Sequence, residues 1–389
     1  MTREINPLQK ALRKIFDREQ WSDRRHLETY CQMVTGLIQS GSCHLTDWIP
    51  FVFSRAKFAQ SHQRRFHRWL ENRYLQVNEL YGPLIQEALS DWQAERLYLA
   101  LDTSVLWDKY CLVSLAVVYR GRAVPLIWQV LAHPSAMIAF QHYERLLRQS
   151  VQWLPAGVEI VLLGDRGFAD IKLMNLCTEL GWHYRLRIKE NFNIYQEKEY
   201  VAKVNDYPLG AGQSLFIHNA RLTDKRFGPV HIALANPAGV NERWAIVSDE
   251  LTTVSTFDEY GYRFDTEEFF LDIKSNGFQL ESSKLDSAEA LTRLLFVFAG
   301  ATLFLVSQGN EVVANEQRRL VDPHWFRGTS YFRIGWQWVH AAISHGWTLI
   351  KRLLLDGRPD PEPTMASKRQ RKQCANSFIF EYMSLNLKE

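Results

Sequence analysis

Four residues between Tyr260 and Lys274 combine side chains able to act on charged oxygens. Tyr260, Arg263, Glu267 and Lys274 stand at offsets 0, 3, 7 and 14. At about 100° per residue on an α-helix, these offsets fall within roughly 60° of arc. One helical stripe then carries a carboxylate flanked by a guanidinium, an ammonium and a phenol. A carboxylate can hold a divalent metal, and its cationic neighbours can hold phosphate oxygens. The pattern points to phosphodiester chemistry and calls for further carboxylates. The same stretch has a start signal at Thr256, with Glu259 three residues on as a capping box, and a stop signal at Gly277.

Two candidate partners follow apolar runs. Asp102 ends Leu97–Leu101, where a charge is costly unless paired or metal-bound. Asp165 ends the run from Glu159 to Gly164, at the kind of strand edge where α/β sheets collect their sites. Taken singly, Asp102 also suits a turn or cap, Asp165 an Asx turn and Glu267 a surface helix acid. If the two strands are neighbours, both aspartates emerge together and Glu267 completes a three-carboxylate site. Such acids repel one another, and two Mg²⁺ ions about 3.5–4 Å apart offset that repulsion and suit in-line displacement at phosphorus. Glu268 lies about 100° further round the helix and breaks the spacing, so Glu267 is preferred.

The elements that must position these residues are legible in coarse outline. The chain has 389 residues, 46% of them hydrophobic, with 13 Trp and 22 Phe, which suits packed structure with a sizeable core rather than disorder. Residues 1–93 lack strand alternation and read as helices. From Arg96 the texture changes to a strand, a hairpin about Arg120-Gly121-Arg122, a helix near Phe140–Trp153, a buried strand at Glu159, a helix near Ile171–Leu180 and a strand at Tyr184–Ile188. That order predicts an α/β fold with a ribonuclease-H-like mixed sheet and flanking helices. Residues 191–252 are rich in strand and turn signals and read as a β-rich insertion before the motif helix. The remainder is read as core, second part, at 253–310, and a helical C-terminal region at 311–389. That region includes an aromatic-rich helix at Trp336–Leu355 and a basic tail at Lys368–Lys372.

Composition excludes several classes. The net charge of +3 is too small to argue nucleic-acid binding by itself, so local clustering must carry that argument. Five scattered cysteines with no CxxC pair support neither a disulfide framework nor a zinc site, and fit a reducing cytoplasm. The 13-residue apolar run Leu294–Val306 is too short to cross a bilayer and reads as a buried helix, with no membrane partner. One local cluster stands out. Ser54–Arg73 carries Arg55, Lys57, Arg64, Arg65, Arg68 and Arg73 against the single acid Glu71, with Phe58, Phe66, Trp69 and Tyr74 interleaved. It suits either a solvated amphipathic helix or a DNA-contacting helix in which Arg64, Arg65 and Arg68 meet phosphates.

At this point the chain resembles a known family, the DDE transposases of bacterial insertion sequences, of the insertion-sequence-four type. Their motif is Tyr, two residues, Arg, three residues, Glu, six residues, Lys, and Tyr260, Arg263, Glu267 and Lys274 match it in type and spacing. Leu101-Asp102-Thr103-Ser104 resembles the family's first-aspartate motif, and Gly164-Asp165-Arg166-Gly167 its second. The resemblance spans residues 97 to 306. It implies that Asp102, Asp165 and Glu267 are catalytic and bind two Mg²⁺ ions, for which Mn²⁺ can substitute. It further implies that Tyr260, Arg263 and Lys274 hold phosphates of the transposon end. Trp244 sits where the family places a base-stacking tryptophan, and it also suits a core tryptophan on a strand. The implied partners are double-stranded DNA, as inverted-repeat ends and target, and a second copy in a synaptic homodimer. Two rival readings are a ribonuclease-H-like nuclease that cuts without joining, and a domesticated DNA-binding derivative.

Overall fold

A computed structural model of the chain describes residues 6–18, 21–54, 56–238, 242–274, 277–363 and 382–387. Four helices open it: α1 (Pro7–Phe16), α2 (Arg24–Ser40), α3 (Ala59–Leu70) and α4 (Val77–Leu89). Strands β1 (Arg96–Leu106), β2 (Tyr110–Tyr119) and β3 (Arg122–Leu131) form an antiparallel meander. Then come α5 (Phe140–Ser150), β4 (Glu159–Gly164), α6 (Ile171–Leu180) and β5 (His183–Arg187). The near-continuous burial of β2 and β4 is what a sheet covered on both faces requires. β1 pairs β4 and β4 pairs β5 in parallel, giving the mixed order β3-β2-β1-β4-β5 of a ribonuclease-H-like core.

The following strands do not start a separate sheet. β6 (Asn193–Gln196), β7 (Glu199–Lys203), β8 (Ser214–Leu222), β9 (Phe227–Ala235) and β10 (Trp244–Ser248) extend the same one. The junction is an antiparallel pairing of β10 with β5, Ile246 opposite Arg187. Residues 191–252 are thus β-rich, yet their backbone hydrogen bonding is continuous with the core. With β11 (Tyr382–Asn386) alongside β8, the sheet has 11 strands among the described residues.

Helices α7 (Ser255–Gly261), α8 (Asp265–Lys274), α9 (Ala288–Ala314) and α10 (Tyr331–His345) lie between β10 and β11. α9 is long and apolar enough to cross a membrane, but its most apolar stretch is almost wholly buried here. It forms the axis of the core. Tyr30 of α2 stacks on Phe296 at 4.2 Å between ring centres and donates its hydroxyl to the Phe296 carbonyl at 3.1 Å. Trp69 of α3 stacks on Tyr30, and Trp128 of β3 donates its indole N–H to the Thr292 carbonyl at 3.0 Å. The amino-terminal helices, α9 and the sheet therefore share one hydrophobic core.

The expected helix at Trp336–Leu355 starts and ends earlier. Ser330 accepts the Arg333 N–H as an N-cap, and Gly346, at φ 71°, ends the helix in the left-handed conformation. The Lys368–Lys372 tail and Arg55 lie outside the described residues. The four described cysteines, Cys31, Cys43, Cys111 and Cys177, are free and buried.

α9 and α10 cross at glycines. A Cβ on Gly309 would overlap the Tyr331 carbonyl, and one on Gly335 the Leu305 carbonyl. Gly309→Ala should lower the unfolding free energy by about 2–3 kcal/mol, because backbone cannot yield as a side chain can. Gly261, at φ −56° with open space about its Cβ position, is the contrast. Gly261→Ala should be neutral or stabilising by up to about 1 kcal/mol. Urea denaturation of the two variants checks the pair, and equal effects would contradict this packing.

Candidate active site

The register of β1 against β4 sets the site. The pairing runs from Arg96 opposite Glu159 to Leu101 opposite Gly164 and stops there. Asp102, still on β1, and Asp165, just past the end of β4, are the next residues along the two chains, so they leave the parallel ladder at neighbouring positions. Asp102 does not end its strand, as its apolar run had suggested. β1 continues to Leu106 because β2 goes on pairing it, Asp102 opposite Ser114.

Asp102 is only 8% exposed. Its Oδ1 accepts the Thr103 N–H at 2.8 Å and its Oδ2 accepts from Arg263 at 3.2 Å. Asp165 is half-buried, and its Oδ1 accepts the Gly167 N–H at 2.8 Å. Arg263 reaches on to Glu267 with its other terminal nitrogen, at 3.1 Å. One guanidinium thus bridges Asp102 on the sheet and Glu267 on α8. Glu268 turns elsewhere, to Arg122 at 3.1 Å.

The charges register one another. Burial, with smaller contributions from Asp165 and Glu267, pushes the Asp102 carboxyl up to about 6, against the pull of Arg263 and the Thr103 N–H. Arg263 is raised although burial opposes it, because Tyr260, Asp102, Glu267 and Asp165 all favour its charge. The three acids therefore lie within electrostatic reach of one guanidinium.

The donor set is all carboxylate oxygen, the hard-ligand chemistry that Mg²⁺ and Mn²⁺ prefer. Three carboxylates against one arginine leave a net deficit of about two positive charges, which fits a divalent cation. In the side-chain placement seen here, no three His, Cys, Asp or Glu groups among the described residues stand close enough to share an ion. Arg263 takes the place between Asp102 and Glu267 that a cation would need.

The Tyr260–Lys274 stretch is not one uniform helix. Between α7 and α8 the residues Tyr262–Phe264 tighten into a 3-10 turn. Such a turn advances about 120° per residue, so Tyr260 is rotated away from the stripe calculated for an α-helix. Tyr260 is fully buried, while the Glu267 side chain is 57% exposed. Lys274 points its ammonium at the Val105 carbonyl, 3.3 Å away at the far end of β1. Glu259 does not close a capping box with Thr256. It is drawn instead into an ion network, 2.7 Å from Arg185, which also pairs Glu250 at 2.7 Å. Gly277 does stop α8 closely, since a Cβ there would overlap the Asp272 carbonyl.

Trp244 is partly buried, its ring edge-on to Tyr260 at 5.6 Å and 5.9 Å from Phe264. Phe264, 37% exposed, carries the Arg263 guanidinium 4.8 Å from its ring centre. Sequence reasoning missed Phe264, whose only signal was its place directly after Arg263. It also missed Arg187, whose charge bears on the Tyr260 phenol together with Arg263. A cation ending the strand next to that of Asp165 was the available clue. On α3, Arg64 and Arg68 are exposed, whereas Arg65 turns inward to the Gln32 side-chain oxygen. Phe66 and Trp69 are core, and Phe58 and Tyr74 are exposed.

A mixed sheet in the order β3-β2-β1-β4-β5 with flanking helices defines a ribonuclease-H-like fold. The family model of the transposase DDE domain matches residues 103–304, more than half the chain, and the protein belongs to that family. Among solved structures, the chain is similar to a piggyBac transposase synaptic complex with hairpin DNA, at 12% identity and a TM-score of 0.40 over 95% of this chain and 86% of that one. It is also similar to Marinitoga piezophila Argonaute in complex with 5′ OH guide RNA, at 9% identity and a TM-score of 0.21 over 55% of this chain and 32% of that one. At such scores neither transfers a residue role. No curated protein matches the sequence.

The Asp102 shift has a stability consequence. Its folded pKa of about 6 lies above the ordinary aspartate value, so between the two the folded state holds the extra proton. Stability then falls as pH rises through this window, by up to about 3 kcal/mol from this group. Urea denaturation in EDTA from pH 4 to pH 7 should show that decline in the wild type and a flatter profile in Asp102→Asn. Identical profiles would contradict the buried, proton-retaining carboxyl.

Proposed function

We propose that this protein is a transposase that binds the ends of its own insertion sequence, cuts the DNA there and joins the freed ends to a target. Asp102, Asp165 and Glu267 are the catalytic acids in this reading, and they would hold two Mg²⁺ ions, or Mn²⁺ in their place. The observation that carries it is the β1–β4 register, with Asp102 and Asp165 as the first residues beyond Leu101 and Gly164. The Arg263 bridge from Asp102 to Glu267 supports the third member. Bound divalent cations supply charge neutralisation and activation of the attacking oxygen at phosphorus.

The chain's own residues do the rest. The acids fix where the scissile phosphate can approach. Arg263 and Lys274 hold phosphate oxygens of the transposon end, and Arg263 leaves the acid pair as it does so. The buried Tyr260 ring braces Arg263 and Trp244 from beneath. Trp244 and the exposed Phe264 offer π-faces beside that guanidinium, suited to a base turned out of the duplex. Water is the first nucleophile and the freed 3′-hydroxyl the later one, so no side chain needs to become covalently linked to DNA. Residues 1–93 serve as the DNA-binding region through the outer face of α3, and residues 191–252 as the insertion between the two parts of the core, 94–190 and 253–310. Because two ends must be cut together, the working form is a homodimer on DNA in the bacterial cytoplasm.

The test uses a duplex bearing the element's end with a free 3′-hydroxyl, a target plasmid, and Mg²⁺ or Mn²⁺. Wild type should yield joined product, while Asp165→Ala and Glu267→Ala should lose at least about 10³-fold in both cleavage and joining with unchanged circular dichroism. Cleavage without any joined product would favour a nuclease. DNA-linked activity that survives Asp165→Ala would favour a non-catalytic DNA-binding protein.

A further inference from the structure

Beside Asp165 lies a charged feature with no part in the chemistry above. Arg166 is the next residue after Asp165, and Arg187 is the last residue of β5, the strand hydrogen-bonded to β4. Both aim a guanidinium at one carboxylate oxygen. Arg166 Nη2 lies 2.8 Å and Arg187 Nη2 2.9 Å from Oε1 of Glu242. Arg187 is buried and rigidly seated, its Nη2 also donating to the Arg243 carbonyl at 2.8 Å. Arg166 and Glu242 are at the surface, with side chains 57% and 48% exposed.

This is an uneven arrangement. Two cations share one anion, and among the described residues neither arginine has another carboxylate partner. Glu242 therefore leaves about one positive charge unneutralised. A phosphodiester presents two non-bridging oxygens, one for each guanidinium, in the geometry that Arg recognises best. A half-exposed ion pair is weak and screened by salt, so Glu242 is easily exchanged. The position is also apt. Tyr260 feels Arg187, Arg263 and Asp165 together, so the pair flanks the acids. Glu242 stands two residues before Trp244.

We propose that Arg166 and Arg187 form a phosphate subsite for the DNA strand passing Asp165, and that Glu242 occupies it as an internal surrogate until a phosphodiester displaces it. This rests on the DNA-processing reading above, which it deepens by naming a further contact and its competitor. Glu242 then acts as a threshold. Loosely held phosphates fail to dislodge it, while a strand already gripped elsewhere on the protein does.

The experiment measures binding of the full chain to a labelled duplex of about 30 base pairs in EDTA, by fluorescence anisotropy across a salt titration. Glu242→Gln removes the competing charge and should tighten binding about three- to tenfold, with a salt dependence steeper by about one ion. Arg166→Gln should weaken binding and make the salt dependence shallower by about one. In the Arg166→Gln background the gain from Glu242→Gln should shrink. Arg166 and Glu242 are half-exposed, and melting temperatures of all variants report the fold directly. If wild type binds duplex but Glu242→Gln leaves affinity and slope unchanged or weaker, the subsite is overturned and the trio is a structural contact. If wild type fails to bind duplex at any salt, the DNA-processing reading itself falls.

Discussion

Everything at the site depends on the parallel pairing of β1 with β4 in one register. Side chains alternate faces along a strand, so a slip of one residue would send Asp102 or Asp165 to the opposite side of the sheet. The pairing is protected by burial, since Leu97, Leu99, Leu101, Leu162 and Leu163 are all inaccessible to water. A slip of β1 would put Arg96, Tyr98, Ala100 and Asp102 in the places of its leucines, losing their packing and burying two charges. The cost of losing the core is thereby converted into precision at the ladder's end, where hydrogen bonding stops and polar side chains begin.

The second constraint is charge. Asp102 is buried beside two other acids, which no carboxylate tolerates without a cation. Arg263 supplies it, and because the same guanidinium also holds Glu267, the ion pair doubles as a mechanical tie between β1 and α8. A separate network of Arg185, Arg96, Glu250 and Glu259 pins α7 one residue before Tyr260. The joint between α7 and α8 is thus located on both sides by ion pairs rather than by apolar packing alone. Partly buried ion pairs carry a desolvation cost, so this is a costly way to fix a helix.

The order of strands along the chain, the buried helix at Leu294–Val306 and the places of Asp102 and Asp165 after apolar runs were legible because they follow from those runs and their terminators, whereas the side-by-side pairing of β1 with β4 was only a condition. What stayed hidden was long-range. Nothing in residues 191–252 says that Ile246 will pair Arg187 and make the insertion part of the core sheet. The inward turn of Arg65 to Gln32 and the capture of Glu259 by Arg185 are likewise choices between a local partner and a distant one. Periodicity cannot decide these, since it reads only the face on which a residue lies. Glu267 was singled out by spacing and the two aspartates by their places after apolar runs, but the bridge that joins Asp102 to Glu267 was not legible.

The 3-10 turn at Tyr262–Phe264 is the most instructive departure. A regular helix would align Tyr260, Arg263, Glu267 and Lys274 on one stripe, with the phenol beside the carboxylate. The tighter winding instead buries Tyr260 under Trp244 and turns Arg263 toward Asp102. The strip of four residues becomes two layers, a buried aromatic floor and a polar surface that starts at the guanidinium. Regular spacing in the chain is therefore read out through irregular winding in space. A short stretch of poorer hydrogen-bond geometry is tolerated here because ion pairs hold the chain on either side, Glu259 to Arg185 and Arg263 to Asp102.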